Sequence, residues 1–545
     1  MRQQLLFLLV FSFFSLDAQQ PIVEIQNNNL QCAISSRGLE IGYYNGVFLN
    51  YLNDNGEKIG LMSSANLWLA GIQNDGSFFM STPTYGSPIG TDLEGIIPKV
   101  FQIDRDVIDQ HIADWQDNGV IDNPNPDVFG WPGNGNPFFE QYNDGLELPS
   151  ESGLSAPFWD NDGNGIYNPD GGDYPVLEVS DCNETPIVPT QMNWCVYGIE
   201  DSSNDELVFY VKFNMFYFQC EEESALNNTL FTQHLLINSS KLSFSTLYAG
   251  LWSDIDLGNH EDDYIGTMPE RSTSYIYNAD NHDEDNGPRP GFGENPPVFG
   301  IDIFRTPFDS QLNEVGLNGI IPYYNGNVIG AEAATTDPST LFEYYNYLNG
   351  NWRDGSPLTF GGNGYQTGAP TDFAFPDLPD QEDGWSAFQS NVSPGDPRIL
   401  MNFGEIDATP GALNEIMAAY TFYNDDSDHI SKVSSFRNQI DDIQVFFDHC
   451  FSPDVFDIEC NPFTTDVETP NILDQEVVLF PNPTADRVEV RSDYPITQMH
   501  LIDATGRYIA TTSERFLQVN TLPKGIYFVQ IEIREQVLYK KVIVE

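Results

Sequence analysis

Alternation of apolar and polar residues with a period of two constrains this chain to a β fold more than any other feature. Along residues 206–219, Leu207, Phe209 and Val211 fall on one face of an extended strand, and Lys212 falls on the other. Hairpin turns are predicted at the Asn-Gly and Asp-Gly pairs 45–46, 55–56 and 75–76. The pattern predicts a mainly β fold, with a large β-sheet or sandwich body and long loops rich in Asp, Asn and Gly.

Two segments have the three- and four-residue spacing of helices. Residues 103–117 place Val107, Ile108 and Ile112 near one face, and residues 430–447 repeat apolar side chains over about five turns. We therefore expect one or two helices that pack on the sheets.

The last 70 residues predict a separate, smaller β unit. Short apolar runs are divided by Pro, Asn, Asp and Gly, and Val488 and Val490 alternate with charged residues as in a half-buried strand. This spacing is typical of a small Ig-like β-sandwich.

Four motifs occur in order within this unit, at positions 480–483 (Phe-Pro-Asn-Pro), 503–507 (Asp-x-x-Gly-Arg), 522–529 (Leu-Pro-x-Gly-Ile-Tyr-Phe-Val) and 540–544 (Lys-Lys-Val-Ile-Val). Together they resemble the type A C-terminal sorting domain of cargo of the type IX secretion system, found in Bacteroidota. The motif residues are Pro481, Asn482, Pro483, Gly506, Gly525, Tyr527, Lys540 and Lys541. The resemblance implies partnership with the type IX machinery and its surface sortase, passage across the outer membrane, and a secreted or outer-surface location.

The rest of the chain is expected to be the cargo. Segments such as 351–365 and 396–401 look similar to uncharacterised secreted proteins that carry the same sorting domain, a resemblance that implies no activity. We predict a signal peptide at 1–18, a β-rich extracellular body at 19–463, a linker at 464–475 and the sorting domain at 476–545. A change of composition near 100–200 leaves open a division of the body into two subdomains. No later apolar run is long enough for a transmembrane helix of ~18 residues.

The charge of the chain lies almost entirely on the body. The sequence has 22 basic and 81 acidic residues, a net charge of −59, and residues 470–545 hold only 8 of the basic and 10 of the acidic ones. This field disfavours nucleic acid, whose binding needs a basic surface, and it attracts cations. Solvation in a salty exterior is the simpler explanation for part of it.

Six cysteines in an exported chain predict disulfides, for which 15 pairings exist. Closure of the shortest loops favours Cys182 with Cys195 and Cys450 with Cys460, which leaves Cys32 for Cys220. No Cys-x-x-Cys spacing indicates a zinc or redox site.

A loop at 160–173 has the ligand spacing of a calcium loop. Asp160, Asp162 and Asn164 occupy positions 1, 3 and 5, and the carbonyl of Ile166 occupies position 7. Position 12 is a glycine, so Asp170 or Asp173 would have to complete the shell. A solvated cluster of Asx turns is the alternative.

A second acidic group is predicted at the end of the strand 245–256. Asp254 and Asp256 point the same way, about 6.5–7 Å apart along the strand. The residues that follow them in this candidate metal site are Asn259, Asp262 and Asp263. Three interpretations remain open. The group could bind structural calcium, or it could consist of plain solvated loops. It could also belong to a hydrolase that uses Asp254 and Asp256 as acid and base beside Trp252 as a platform for a sugar ring.

The sequence leads to two functional hypotheses. The favoured one is a non-enzymatic, calcium-stabilised protein that acts in adhesion, contact with a glycan or other surface ligand, or surface assembly. The alternative is a secreted hydrolase of polysaccharide.

Overall fold

The computed structural model describes residues 22–37, 40–41, 49–53, 55–85, 91–149, 153–182, 185–201, 206–220, 224–326, 331–452, 478–480, 484–492, 496–503, 508–520, 522–533 and 536–544. The chain divides into two compact units, Met1–Phe463 and Thr464–Glu545. The first unit is called the body below, and the second is called the C-terminal unit. The predicted signal peptide and linker lie outside the described residues.

The body is built mainly from antiparallel strands. Its strands are β1 (Ile22–Asn27), β2 (Leu30–Ser35), β3 (Glu40–Ile41), β4 (Leu49–Leu52), β5 (Lys58–Gln73), β6 (Phe78–Ser81), β7 (Thr91–Gly95), β8 (Phe101–Asp104), β9 (Phe158–Trp159), β10 (Tyr174–Pro175), β11 (Gln191–Asp201), β12 (Glu206–Tyr217), β13 (Thr229–Asn238), β14 (Phe244–Ile255), β15 (Asp263–Met268), β16 (Thr273–Asn278), β17 (His282–Asp283), β18 (Gly293–Glu294), β19 (Val298–Arg305), β20 (Gly319–Tyr324), β21 (Pro397–Glu405) and β22 (Leu413–Tyr423). Its helices are α1 (Arg105–Asn118), α2 (Pro126–Phe129), α3 (Phe139–Tyr142), α4 (Leu341–Leu348) and α5 (Ser431–Asp448).

Two large sheets form the centre of the body. The first sheet has the order β1-β2-β4-β5-β14-β21-β20, and the second has the order β15-β16-β19-β22-β13-β12-β11-β7. One apolar cluster contains residues of both sheets, including Trp68 and Leu251 from the first and Phe213 and Ile301 from the second. The sheets therefore pack face to face as a sandwich.

The second sheet is covered on both faces, because the side chains of its strands alternate between two cores. In β12, Phe213 lies in the core between the sheets, whereas Phe216 lies in a second apolar cluster on the outer face. Phe436 and Ile443 of α5 and Trp131 of the long 119–190 segment belong to that outer cluster. Burial on both faces explains why the strands of this sheet carry so many aromatic residues.

The C-terminal unit has its own small core. Its strands are β23 (Val478–Phe480), β24 (Arg487–Arg491), β25 (Ile496–Asp503), β26 (Tyr508–Thr512), β27 (Phe516–Gln518), β28 (Gly525–Ile533) and β29 (Gln536–Val544). They form two sheets, β23-β24-β27 and β26-β25-β28-β29. Val488 and Val490 are buried while their neighbours in β24 are exposed, which confirms the predicted alternation.

The predicted fold class is confirmed, since strands and antiparallel sheets dominate the described residues. The strand predicted at 206–219 is β12, and the strand predicted at 245–256 is β14. The two predicted helices correspond to α1 and α5.

The predicted disulfide pairing is wrong. Cys182 is joined to Cys450, with their Cα atoms 5.5 Å apart and 268 residues between them in sequence. Neither can therefore pair with Cys195 or Cys460. The prediction considered only the length of chain between cysteines, whereas packing of α5 on the outer face of the second sheet brings two distant segments together.

The third predicted pair, Cys32 with Cys220, is wrong as well. Cys32 keeps its thiol, which donates to Met215 Sδ at 3.3 Å within the core between the sheets. Cys220 is disulfide-bonded.

The completely buried Asp302 of β19 generates a prediction about pH and stability. Its Oδ1 accepts from Thr273 Oγ1 at 2.8 Å, and burial raises its pKa from 3.8 to about 7. The folded protein thus binds this proton more tightly than the unfolded chain, so the free energy of unfolding falls as the pH rises from about 4 to about 7. Asp302→Asn should raise the melting temperature at pH 8, with a stabilisation of up to about 4 kcal/mol, and should change it little at pH 4.

Asp117→Asn removes a charge from an exposed position on α1 and is the matched control. Its melting temperature should depend on pH in the same way as that of the parent protein. An Asp302→Asn variant that melts lower than the parent at pH 8 would contradict this account of the buried carboxyl.

Candidate functional site

The central strands of the first sheet bring a group of charged residues together at one end. In β14, Asp254 lies opposite Ser64 of β5 on one side and opposite Arg398 of β21 on the other. Asp256 and Asp396 follow and precede these strands. We call Asp254, Asp256 and Asp396 the strand-end cluster.

Arg398 is the buried cation of the strand-end cluster. Its Nε lies 3.3 Å from Asp254 Oδ1, and its Nη1 donates to the carboxylate and, at 3.0 Å, to the main-chain carbonyl of Asp396. Its Nη2 donates to the hydroxyl of Tyr85 at 2.9 Å, and that hydroxyl donates in turn to Asp254 Oδ2. Tyr85 is partly exposed, so it stands between the buried charges and solvent.

Asp256 has different partners. It accepts from the hydroxyl of Ser63, and Arg289 Nη1 lies 3.3 Å from its Oδ2. The Arg289 side chain is 43% exposed, whereas that of Arg398 is 7% exposed. The buried guanidinium of Arg398 thus pairs with two of the three carboxyl groups, Asp254 and Asp396, and the carboxyl groups of the cluster outnumber the buried cation.

The geometry of the strand-end cluster fits one divalent ion. One carboxylate oxygen from each of Asp254, Asp256 and Asp396 lies within 4.8 Å of the other two. Oxygens this far apart can contact a common Ca²⁺ at its usual 2.3–2.6 Å. Asp254 Oδ1 is buried and accepts no hydrogen bond from the described residues, and its nearest cationic partner is Arg398 Nε at 3.3 Å.

Burial raises the pKa of Asp254 well above its ordinary value, with the charge of Asp256 adding to the effect and Arg398 opposing it. Burial likewise raises the pKa of Asp396, again against the influence of Arg398. In the absence of a cation, these carboxyls hold protons more tightly than they do in water.

A second polar group, the loop cluster, consists of Asn259, Asp262, Asp263 and Asp283. Asp263 is completely buried, and its Oδ2 accepts from the N–H of Leu257 at 3.1 Å while its Oδ1 accepts no hydrogen bond from a described residue. Burial raises its pKa well above the ordinary value, and burial raises that of Asp262 to about 7.

The backbone around Asn259 wraps Asp283. Asp283 accepts from the N–H groups of Asn259 at 3.0 Å and Phe292 at 2.6 Å, and Asn286 Nδ2 donates to Asn259 Oδ1 at 2.9 Å. Gly258 has φ +66°, and a Cβ there would lie 2.0 Å from Asp283 Oδ2. Only glycine permits this close approach.

The 160–173 loop is closed by its own hydrogen bonds. Asp160 accepts from the N–H groups of Gly163, Asn164 and Gly165, at 2.6 to 3.2 Å. Asp162 accepts from both nitrogens of Asn164, and Asn164 Oδ1 accepts from the N–H of Ile166.

Asp173 ties the two ends of this loop together. It is buried and accepts from the N–H groups of Asn161 at 2.9 Å and Asn168 at 2.7 Å, while Asp170 is exposed. The Asx turns of the alternative interpretation are therefore present. The outward oxygens of Asp160, Asp162 and Asn164 are exposed to solvent, and the calcium prediction for this loop stays a prediction.

The structure divides the predicted second metal site into two parts. Asp254 and Asp256 meet in the strand-end cluster, whereas Asn259, Asp262 and Asp263 belong to the loop cluster. Local sequence pattern does not reveal Asp396, Arg398 and Tyr85 as members of this site. Arg398 and Tyr85 contact Asp254, from which they are separated by 144 and 169 residues in the chain. The available signal was the Asp-Pro-Arg run at 396–398, which places two opposite charges at the start of a strand.

The idea that Trp252 offers a platform for a sugar ring is wrong. Its ring is buried, stacks on Trp68 at 5.3 Å, and donates from Nε1 to the Tyr323 hydroxyl at 2.6 Å. Period two places Trp252 on the same face as Asp254, but that face is covered by α4 and the loops around it.

The predicted sorting residues fall in the C-terminal unit. Gly525 begins β28, and the Tyr527 hydroxyl donates to the Pro523 carbonyl at 2.9 Å. Lys540 and Lys541 lie in β29, opposite Val529 and Phe528. Pro481, Asn482, Pro483 and Gly506 lie outside the described residues.

Together these features define a two-unit β protein whose larger unit is a sandwich with buried carboxylate clusters. Residues 478–545 match the family model described as the secretion system C-terminal sorting domain. The chain thus carries the type IX sorting domain that its motifs resemble, and it is an exported protein that is secreted or attached at the outer surface. The sorting domain also implies interaction with the type IX machinery.

Comparison with other proteins adds little about the body. A solved structure of a polysaccharide lyase aligns at 9% identity and a TM-score of 0.17, over 62% of this chain and 34% of the lyase chain. The aligned region thus spans about a third of that protein. With so low a TM-score, we conclude nothing about the fold or function of this chain from the similarity. A search of curated proteins gives no match. Among the described helices, none has the length and apolar character needed to cross a membrane.

Because Arg398 is buried between two carboxyl groups, we expect its removal to lower the free energy of unfolding strongly. Arg398→Met keeps much of the apolar stem but leaves Asp254 and Asp396 buried without their cation, so we expect a loss of about 3–5 kcal/mol in the free energy of unfolding. Chemical denaturation at pH 7 measures it.

Arg289→Met is the matched control, since it removes an exposed partner of the same cluster and should cost less than about 1 kcal/mol. Adding Asp254→Asn to Arg398→Met should recover part of the loss. Equal effects of the two arginine variants would show that burial of the guanidinium is not important.

Proposed function

We propose that this chain is a non-enzymatic, calcium-stabilised protein that acts outside the cell in adhesion, ligand binding or surface assembly. The sorting domain provides the export. The body, predicted as 19–463, is the part that remains after a 476–545 sorting domain is removed at the surface.

The observation that carries this proposal is the set of buried carboxylate oxygens without a hydrogen-bond donor. Among the described residues, Asp263 Oδ1 accepts no hydrogen bond, and Asp254 Oδ1 accepts none although Arg398 Nε lies 3.3 Å from it as an ion-pair partner. Both oxygens lie in groups in which carboxyls outnumber nearby cations. A buried ionised carboxylate without a partner is costly, so it either takes up a proton or binds a cation. Hard oxygen ligands favour calcium over zinc.

The residues that would hold calcium belong to three groups: the strand-end cluster (Asp254, Asp256 and Asp396), three residues of the loop cluster (Asn259, Asp262 and Asp263) and the 160–173 loop (Asp160, Asp162, Asn164, Ile166 and Asp173, with Asp170 at its edge). In each group the metal would replace protons or solvent and hold loops onto the end of a sheet. This role requires no substrate and suits an exterior rich in calcium.

Removal of calcium should therefore lower the melting temperature at pH 8 by several degrees, as expected when a ligand at about 100 times its Kd is withdrawn. Because cation-free Asp262 holds a proton up to a pH of about 7, the stabilisation by calcium should be smaller at pH 5 than at pH 8. Calorimetry with chelator and with calcium restored measures both effects.

Asp263→Asn should remove part of the calcium-dependent increment in melting temperature. Asp309→Asn is the control for loss of one carboxylate outside the three groups, because Asp309 is partly exposed and accepts from the N–H groups of Gln311 and Asn313. Identical melting of the parent protein with and without chelator at both pH values would refute calcium stabilisation.

A polysaccharide hydrolase is the second candidate. The raised pKa of Asp254 is what a general acid needs, and the partly exposed Tyr85 connects Asp254 with the surface. Against it, Asp254 is 3% exposed and Asp256 is 5% exposed, so neither carboxyl is open to a polymer chain. We therefore prefer the non-enzymatic function.

Turnover of a polysaccharide panel distinguishes the two candidates. We expect no release of reducing ends by the parent protein. Activity that is lost in Asp254→Asn, with melting unchanged, and retained in Arg289→Met would establish the hydrolase instead.

A further inference from the structure

A pocket opens on the outer face of the second sheet, away from the core between the sheets. Its volume is about 310 Å³, and its walls come from residues 155–159 and 176–178 and from Cys182, Thr185 and Pro186. Lys212 of β12 reaches it from the sheet, because alternation along the strand places Lys212 on the same side as Phe216 of the outer cluster. This volume is near the lower end for ligand sites and suits a single ring.

One wall of the pocket is aromatic. Trp159 is 36% exposed, and its ring stacks on Tyr174 with centroids 6.4 Å apart and an angle of 23° between the planes. Trp159 pairs with Tyr174 across β9 and β10. Trp159 and Tyr174 directly flank the 160–173 loop, whose ends are joined by the hydrogen bonds of Asp173 to Asn161 and Asn168.

The side chain of Lys212 lines the pocket and supplies its cationic group. Among the described residues, Lys212 has no hydrogen bond or ion pair, and the nearby carboxylate of Glu178 acts on it only through its charge. Burial lowers the pKa of Lys212, and Glu178 opposes that effect. Lys212 is one of only 22 basic residues in a chain with 81 acidic ones.

The two charged groups of the pocket have different environments. Glu178 is exposed, so water screens its charge, and its main-chain carbonyl is anchored by Gln233 Nε2 at 2.8 Å. Lys212 is less well solvated, so an anion from a ligand compensates it more effectively than water does. The pocket therefore combines a flat apolar surface, a cation and an exposed acceptor.

We propose that this pocket binds a carboxylated sugar residue of a glycan, with the pyranose ring against Trp159, its carboxylate on Lys212 and a hydroxyl donating to Glu178. The inference rests on the proposed binding function and adds the chemical class of the ligand. The sugar ring and its carboxylate are recognised by different side chains, so their contributions to the binding affinity can be measured separately.

The test is a titration of the full-length protein with methyl glucuronide, methyl glucoside and acetate, followed by calorimetry or ligand-observed NMR. We expect saturable binding of the glucuronide, at least tenfold weaker binding of the glucoside, and no saturable binding of acetate. Lys212→Met should abolish the preference for the glucuronide over the glucoside. Trp159→Ala should weaken the binding of the glucuronide at least tenfold.

The matched controls are Lys241→Met, an exposed lysine elsewhere in the body, and Phe360→Ala, a partly exposed ring that packs on Trp385. Both should bind like the parent protein. If Trp159→Ala fails to fold, as judged by its melting curve, Lys212→Met alone decides the outcome.

The inference is overturned if the glucuronide does not bind, if acetate binds as well as the glucuronide, or if both pocket variants bind like the parent. Such a result leaves the response of the melting temperature to calcium untouched. Conversely, the protein could bind the glucuronide while its melting temperature does not change on chelation. That result would refute calcium stabilisation and support the ligand site in the pocket.

Discussion

The pairing of β14 with β5 and β21 in the middle of the first sheet organises the body and its buried charges at once. It inserts Leu251 into the core between the sheets and sets Asp254 opposite Arg398 at the end of the same strand. Because the core continues close to the strand end, these charges are removed from water. The guanidinium of Arg398 then becomes the partner that two carboxyls share.

This burial connects the lopsided composition of the chain with its stability. Several of the acidic residues of the body, among them Asp254, Asp256 and Asp263, are buried where strands end and loops return. Each enclosed carboxyl that lacks a donor either holds a proton or needs a cation. The raised pKa values couple the stability of the body to pH, and the calcium binding that we propose would compete with protons for the same oxygens.

The two units of the chain carry different information. The C-terminal unit has nearly balanced charge and its own apolar core, and its motifs identify a route of export. The body has no comparable signature. Its candidate sites are combinations of side chains that only the folded sheets assemble, such as Lys212 on β12 beside Trp159 on β9.

Much of the fold could be predicted from local pattern. Period two identified β12 and β14, the helical period identified α1 and α5, and the C-terminal motifs identified the sorting domain. The site was predicted less completely. Asp254 and Asp256 are two residues apart and were found together, whereas Arg398, Asp396 and Tyr85 were missed, and Trp252 was assigned to solvent although α4 and nearby loops cover it.

The sequence by itself determined the β class, the two-unit plan, the charge and the route of export, because each depends on residues that are close together in the chain. Only the tertiary structure decided which cysteines pair, which carboxyls are buried and which lysine enters a pocket. Those properties depend on pairings such as Cys182 with Cys450, 268 residues apart, and no local preference of the backbone specifies them.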